Sequence, residues 1–549
     1  MCGIAGIIGY IDENHRAALR RMSDAMRHRG PDADGFWEAE PDERGWGPMM
    51  AHRRLAILDL SPNGVQPMID PMSGDVVVLN GEIYNYLELR ARLPHGGSEL
   101  GSSGDTAVML RALSLQGTAG IPALRGMFAF AYWCRRERRL ILACDPLGIK
   151  PLYIMRNPDP AGQWSVAFAS EVRALLASGL MAQPRLDLAS VACVVWNGFT
   201  VAPRTIVSGI ETLWPGELQV LDARGALVER RPYWRLPSED GVPASEAELA
   251  ASLKDCVRLH LASDVPLGIF LSGGVDSSVV ANLAQRSSQT PVHTFTLAFE
   301  EAEHNEGNHA RRVAQAIGTQ YHELLLTESL FTSRLEDALS SLDQPSFDGL
   351  NSYFMSHAVA HAGFKVALVG SGGDELFGGY ASFRDLPVLA HWARRTRWIP
   401  VSLKHALARA MAAMLQPSCG GFPPQTRWAK LPDMVARGAD LLGLYQMAYA
   451  LCRKALLRRV GLTGLTAALF ERPKSGFELP YDHWLRSRLG QRIDDTLNDP
   501  DLVRPAGPDP DNVARLWRAF KQGAPGLYWS RIWALYVLVH WCHRHRVYV

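Results

Sequence analysis

Cys2 stands directly after Met1. If Met1 is removed, one residue carries both a thiol and a free α-amine, and an amine with a reference pKa near ~8 can act as general base for its own thiol. Gly3–Gly9 reads as a buried strand whose glycines let another backbone approach closely. Three polar segments follow. Arg27-His-Arg-Gly-Pro-Asp-Ala-Asp-Gly35 is rich in turn residues. His52-Arg-Arg-Leu-Ala-Ile-Leu-Asp59 places Arg54 at the start of an expected strand, Leu55–Leu60. Val78-Leu-Asn-Gly-Glu-Ile-Tyr-Asn85 ends a strand in Asn80-Gly81. An Asn amide and the next backbone N–H can hold an oxyanion with two donors, although the same dipeptide serves equally as a hairpin turn.

A second chemistry is written further along. Leu271-Ser-Gly-Gly-Val-Asp-Ser-Ser278 follows an apolar run and opens a helical segment. Glycine N–H groups, serine hydroxyls and a helix N-terminus suit an anion. No Gly-Lys-Ser/Thr follows, so this is not a Walker A loop. Asp276 inside it would repel a phosphate unless a cation lay between them, which reads as a Mg²⁺ ligand. Lys365-Val-Ala-Leu-Val-Gly-Ser-Gly-Gly-Asp-Glu-Leu-Phe-Gly-Gly-Tyr380 repeats the strand-to-glycine-loop pattern and adds Asp374 and Glu375. Two acidic loops at the C-terminal ends of parallel strands are where an open α/β sheet puts its ligand. Lys474, in Arg472-Pro-Lys-Ser-Gly-Phe-Glu-Leu-Pro480, is one of eight lysines and a candidate to stabilise charge on a polyphosphate.

The elements that must hold these residues fall into two textures. Residues 1–200 read as short strands (Gly3–Tyr10, Asp75–Leu79, Met127–Trp133, Leu140–Cys144) interrupted by helices near Arg16–Arg27, Tyr86–Leu93 and Thr106–Leu115, an α+β pattern. After 245, short apolar runs alternate with helices, which predicts a parallel sheet covered on both faces. From about 385 the chain reads as mainly helical. The expected division is 1–204, a connector over 205–245, and 246–549.

Composition narrows the classes. The 549 residues are 47% hydrophobic and 21% charged, as in a folded globular chain. Net charge is +1, so no general basic field exists for nucleic acid or an anionic membrane, and arginine-rich stretches such as Arg453–Arg459 read as helix or interface faces. Apolar runs fall short of the ~20 residues a membrane helix needs. The start lacks a basic n-region, and the eight scattered cysteines show no zinc spacing. A reduced, cytoplasmic setting is therefore the expectation.

The first group of motifs, with Phe128-Ala-Phe-Ala-Tyr132, Asp145-Pro-Leu-Gly-Ile-Lys-Pro-Leu-Tyr153 and Phe168-Ala-Ser-Glu171, resembles the class II glutamine amidotransferases. The resemblance implies an αββα N-terminal-nucleophile domain in which Cys2 attacks the glutamine amide. It also implies that Asn80 and Gly81 hold the oxyanion, Arg54 and Leu55 bind the α-carboxylate end, and Asp105 with Glu82 takes the α-ammonium. Cys144 departs from the arginine usual there; a modest local packing effect is expected.

Ser-Gly-Gly-x-Asp-Ser resembles the PP-loop of ATP pyrophosphatases. The order of the two units, with Glu306, Ala310-Arg-Arg-Val-Ala314, Asp343-Gln-Pro345 and Tyr353-Phe-Met-Ser356, resembles the glutamine-dependent asparagine synthetases. That resemblance implies ATP binding by Leu271, Ser272, Gly273, Gly274, Asp276, Ser277, Ser278, Thr296, Leu297, Gly370, Ser371 and Gly372. It further implies Mg²⁺ on Asp276 and Asp374, Lys474 as a catalytic cation, and an α/β PP-loop domain with a helical C-terminal part. Glutamine, ATP and a small carboxylate would be the partners, with a homodimer allowed for.

Aspartate is the expected acceptor, with reservations carried by two positions. Ser371 stands where the family has glutamate, and Phe347 lies near where aspartate-specific members place an arginine. A different carboxylate, in a cell-surface polysaccharide or natural-product pathway, is the alternative. A β-lactam-synthetase-like ring closure is disfavoured by the intact Cys2, Arg54, Asn80 and Asp105. A non-catalytic binding protein is disfavoured by Asp276, Asp374 and Lys474.

Overall fold

A computed structural model of the chain describes residues 1–237, 244–300, 306–380, 382–396, 398–415, 435 and 479–549. Two antiparallel sheets of six strands build the first unit. One runs β10 (Ile210–Thr212), β8 (Tyr153–Arg156), β9 (Trp164–Ala169), β1 (Gly3–Tyr10), β3 (Trp46–Arg54), β2 (Ala33–Glu38). The other runs β12 (Leu227–Pro232), β11 (Glu217–Asp222), β7 (Arg139–Cys144), β6 (Gly126–Cys134), β5 (Val76–Ile83), β4 (Met68–Ile69). Their facing sides bury Ile4, Ile8 and Met50 against Val78, Ala129 and Leu142, the interleaving that period-two strands impose.

Helices close the outer faces. α1 (Glu13–Ala25) and α4 (Val172–Ala177) cover the first sheet. α2 (Tyr86–Arg92) and α3 (Asp105–Gln116) cover the second. α1 starts where the Asp12 carboxylate accepts the His15 amide, and buries Ala18, Leu19 and Met22 at helical spacing. The resulting αββα sandwich is the expected N-terminal architecture. Residues 205–232, read from sequence as connector, contribute β10 to one sheet and β11–β12 to the other. The expected strand Leu55–Leu60 is a loop instead, and Arg54 closes β3 rather than opening a strand. The pull of the Arg54 guanidinium on that loop's carbonyls, described below, competes with extended pairing.

The second unit is a parallel sheet in the order β15 (Gln320–Leu326), β14 (His293–Phe299), β13 (Leu267–Phe270), β16 (Val366–Leu368). It is flanked by α6 (Glu246–His260), α7 (Val275–Ser287), α8 (Gly307–Ile317), α9 (Glu328–Ser341) and α10 (Gly349–His361). Among the described residues after β16, helices predominate, and Trp529–His545 packs on α5 (Leu188–Asn197) of the first unit. No helix among the described residues is long and apolar enough to cross a membrane.

The two units share one apolar cluster. Ala5, Ile7, Ala167 and Ala169 join Leu297, Phe299, Phe331 and Phe354 in it. Polar pins fix the docking. The Asp343 carboxylate accepts the Val172 and Arg173 amides, both at 3.0 Å, at the start of α4, while its carbonyl accepts Trp541 Nε1 at 3.1 Å. Gln344 Oε1 accepts the Ile206 amide at 2.9 Å. Asp343→Ala should leave two buried amides without acceptors, at on the order of 2 kcal/mol or more. A thermal unfolding scan should show an earlier transition; an unchanged one would mean that water replaces the carboxylate at no cost.

Candidate active sites

The first site is a pocket lined by Cys2, Arg54, Leu55, Asn80, Gly81, Glu82, Asp105 and Lys150 among others. Every residue assigned by resemblance to the glutamine end is thus brought together. β1 and β3 pair with Gly3 opposite Arg53, so Cys2 and Arg54 leave adjacent strand ends side by side. The Leu55 amide donates to Cys2 Sγ at 3.4 Å. Burial pushes the thiol above its ordinary range, against the Leu55 hydrogen bond and the neighbouring α-amine.

Asn80 is fully buried, and both polar atoms of its side chain lack a partner among the described residues. An orphaned buried amide is costly unless a ligand satisfies it. Gly81 has φ +152°, and a Cβ there would meet the Met127 carbonyl oxygen at 2.0 Å. Glycine is therefore required by the closeness of β5 to β6, not by a hairpin turn; β5 continues through the Asn-Gly pair to Ile83.

The opposite polarity sits on each side. Arg54 Nη1 donates to the Ser61 carbonyl at 3.0 Å, and Nη2 to those of Leu58, at 3.5 Å, and Asp59. Among the described residues no carboxylate pairs with it. Loop 55–64 is thus wrapped around a guanidinium that keeps its charge for an anion. Asp59 braces the loop. Burial raises this carboxyl, but donors from Ser102, Ser61 and Ser103 outweigh burial and hold it near 2. Across the cavity, burial pushes Asp105 up, although it accepts the Ile83 amide at 2.7 Å. Burial, and then the charge of Asp105, push Glu82 up to about 7. Two carboxyls that resist ionisation together want a cation between them.

The second site lies where β13 and β16 run side by side and their loops face each other, at the switch point of the sheet. Gly273 has φ +75°, and a Cβ there would strike His309 at 2.5 Å. Ser272 Oγ accepts the Gly274 amide at 3.2 Å. The Ser278 hydroxyl is buried with no partner among the described residues. Thr296 donates to the Leu271 carbonyl, and Leu297 is buried beside it. The second loop touches the first through bare backbone. A Cβ on Gly370 would stand 2.8 Å from the Ser277 amide nitrogen, and one on Gly373 2.6 Å from the Asp276 carboxyl carbon. Ser371 and Gly372 are exposed at the rim. Asp374 and Glu375 follow directly, and the Tyr380 hydroxyl donates to Glu375 at 2.8 Å.

Hard oxygen donors thus converge from two loops, yet no trio of His, Cys, Asp or Glu among the described residues closes a metal cage. That donor set fits Mg²⁺, which keeps waters and phosphate oxygens and takes one or two carboxylates. Lys474 lies outside the described residues. Phe347 packs against Gly198 of the first unit and faces Trp529 at 6.2 Å.

Sequence reading passed over three residues here. Arg29 donates to the Cys2 carbonyl at 2.8 Å and to Glu171 at 2.9 Å. Asp59 shapes the loop, and Lys150 lines the cavity. The scarcity of lysine was the available signal for the last.

A thiol site and a phosphate-type loop on these two folds define an amidotransferase–synthetase pairing. Residues 1–234 match the family described as "Glutamine amidotransferase domain". Residues 248–450 and 445–543 match "Asparagine synthase", and the chain belongs to the asparagine synthase family. It is 32% identical to "Amidase chry2" of Gibberella zeae over 70% of this chain and 60% of that protein. It is 34% identical to a "Putative asparagine synthetase [glutamine-hydrolyzing]" of Mycobacterium tuberculosis over 70% and 61%. It is 31% identical to "Asparagine synthetase [glutamine-hydrolyzing] 1" of Bacillus subtilis over 75% and 64%. The match thus spans about three fifths of the length of these relatives.

Gly81→Ala tests the close approach of β5 and β6. Positive φ and the Met127 carbonyl should together cost about 1–3 kcal/mol, read as a lower urea midpoint with unchanged slope. An unaltered midpoint would show that the strands separate freely.

Proposed function

We propose that the chain is a glutamine-dependent amidotransferase that makes an amide from a carboxylate activated as an acyl-adenylate, with release of AMP and pyrophosphate. One observation carries the glutamine half. A single cavity sets a thiol and an orphaned carboxamide between a guanidinium that no carboxylate among the described residues pairs with and a pair of carboxyls raised by burial. That is the complement of an α-amino acid bearing a side-chain amide.

Cys2 attacks the amide carbon once its proton has passed to the α-amine, and the Asn80 amide with the Gly81 N–H receives the oxyanion. Arg54 takes the α-carboxylate; Glu82 and Asp105 take the α-ammonium. Hydrolysis of the thioester releases glutamate. Ammonia must travel unprotonated, because ammonium is not a nucleophile. A sheltered route between the two sites is therefore part of the proposal, and the apolar cluster shared by the units, from Ala5 and Ile7 to Leu297 and Phe331, would keep bulk water from the region between them. At the second site the Gly273–Gly274 backbone and Ser272, Ser277 and Ser278 would cradle ATP phosphates. Mg²⁺, on Asp276 and Asp374, would neutralise their charge. Thr296, Leu297 and Gly370 would border the nucleotide, and Lys474 would steady the polyphosphate.

Aspartate is the first acceptor to test, since relatives bear the name asparagine synthetase. A second reading, amidation of another carboxylate, is favoured by Ser371, which cannot serve unaided as a base at neutral pH. Other relatives are named amidases. A panel of carboxylates, aspartate included, scored for AMP release with glutamine and ATP decides between them. Cys2→Ala should abolish glutamine-dependent amide formation and retain the ammonia-dependent reaction; continued use of glutamine would remove Cys2 as nucleophile.

The carboxyl pair sets a pH dependence. An α-ammonium binds the ionised form of Glu82, whose carboxyl is raised to about 7. The KM for glutamine should therefore be lowest above pH ~7 and rise, approaching tenfold per unit, as pH falls below it. Glu82→Gln should flatten that limb. A wild-type KM constant from pH 5.5 to 8.5 would contradict the assignment.

A further inference from the structure

Lys150 is the only lysine in residues 1–253, in a chain with eight lysines in all. The turn that carries it is built with care. The Asp145 carboxylate gathers four backbone amides: those of Phe128 at 3.1 Å and of Leu147, Ile149 and Lys150 at 3.0 Å each. Gly148 takes φ +65°. Cys144, the residue that departs from the family's arginine, is buried and donates its thiol to the Lys150 carbonyl at 3.2 Å. The small side chain therefore does more than fill space; it ties down the end of the turn. Leu147 and Ile149 are left outside, 65% and 52% exposed, while Lys150 is turned in and 3% exposed.

A buried ammonium is expensive unless paired. Among the described residues no carboxylate lies within ion-pair distance of Lys150. Its Nζ rests on Met1 Sδ at 2.6 Å, in the same cavity as Cys2. Removal of Met1 would leave the ammonium facing the space beside the new α-amine. We infer that Lys150 is a positioning residue of charge: it keeps the α-amine beside Cys2 neutral, so that this amine can take the thiol proton. The inference rests on the glutamine reading above and goes beyond it by naming the residue that tunes the base.

The surroundings agree. The charged groups facing the amine are Cys2, Arg29, Lys150 and Glu82; those facing Lys150 are Arg29, Glu82, Asp145 and Cys2, with Asp105 behind the thiol. In the chain with Met1 in place, the α-amine is drawn down to about 6, by burial first, with Arg29 and Lys150 acting the same way against Cys2 and Glu82. Lys150 itself is drawn down to about 8, by burial and by Arg29. Lys150 therefore remains mostly charged at neutral pH and stands as a fixed positive charge in the cavity that holds Cys2. The proton leaves Sγ for the amine before the S–C bond forms, and departs on ammonia as the C–N bond breaks.

The test compares wild type, Lys150→Met and Lys150→Arg, each with Met1 removed. Two pH profiles are recorded: glutaminase kcat at saturating glutamine, which leaves out the Glu82-dependent limb in KM, and the alkylation rate of Cys2 by iodoacetamide, corrected with Cys2→Ala for other thiols. In Lys150→Met the acid limb of both profiles should move up by about one pH unit, with a roughly tenfold loss of kcat at the foot of the limb. Lys150→Arg should restore the limb. Coincident limbs in Lys150→Met and wild type would overturn the inference, as would Lys150→Arg behaving like Lys150→Met, because packing alone would then explain the residue. A wild type without glutaminase activity, but with an alkylation limb that Lys150→Met still displaces, would remove the glutamine reading and keep the role of Lys150.

Discussion

A buried guanidinium that no carboxylate among the described residues pairs with organises the amino-terminal half of this molecule. Arg54 is 7% exposed and is met by carbonyls, not carboxylates. Carbonyl dipoles solvate the charge but leave it uncancelled, so the fold must hold a loop in an otherwise unfavourable path to supply them. That path explains Asp59, a non-glycine residue at φ +51°, kept there because its carboxylate collects donors from Ser61, Ser102 and Ser103. It also explains Gly64, where a Cβ would stand 2.1 Å from Arg54 Nη2. The cavity is thus assembled around a charge that awaits an anion.

The same loop is shared property. The Asp59 amide donates to the Asp264 carboxylate at 2.8 Å, and the Asp264 amide to the Ile57 carbonyl at 3.0 Å. The Ala56 amide donates to Asp32, which pairs with Lys365 at 2.8 Å. Asp264 and Lys365 stand just before β13 and β16, whose far ends carry the two glycine loops. Each cavity is therefore braced by strands that serve the other. Separation of the units would cost the first cavity its loop as well as the shared apolar cluster.

What sequence could reveal followed the range of the interactions involved. β1 is found at Gly3–Tyr10 as read, because seven consecutive small and β-branched residues before Tyr10 leave one local solution. The parallel sheet after 245 was legible because short apolar runs alternate with helices, and two of its strands, β13 and β16, end in glycine loops. Leu55–Leu60 misled: its short apolar run is that of a buried strand, and a side chain from the preceding strand end turns it into a loop. Asn80-Gly81 carried both a turn and an oxyanion reading, and the choice depended on β6, some fifty positions later. Lys150 stood in a quoted motif, but its inward direction depends on Asp145 and Cys144 acting together. Lys474 remains a sequence-level candidate.

Burial sets the division of labour between the buried acids. Glu171 is held well below the usual carboxylate range; burial opposes this, but His28, Arg173 and Arg29 prevail. Asp343, a few ångströms on in the other unit, is held above that range by burial and then by the charge of Glu171. Two adjacent carboxyls thus share the available cations unequally. Glu171 takes the guanidinium that also grips the Cys2 carbonyl, while Asp343 takes backbone amides. Because the Cys2 carbonyl hangs on this arrangement through Arg29, the way the second unit docks reaches Cys2 by a chain of charge-assisted hydrogen bonds, independently of loop 55–64. Cys2 is in this sense positioned from both sides of the interface.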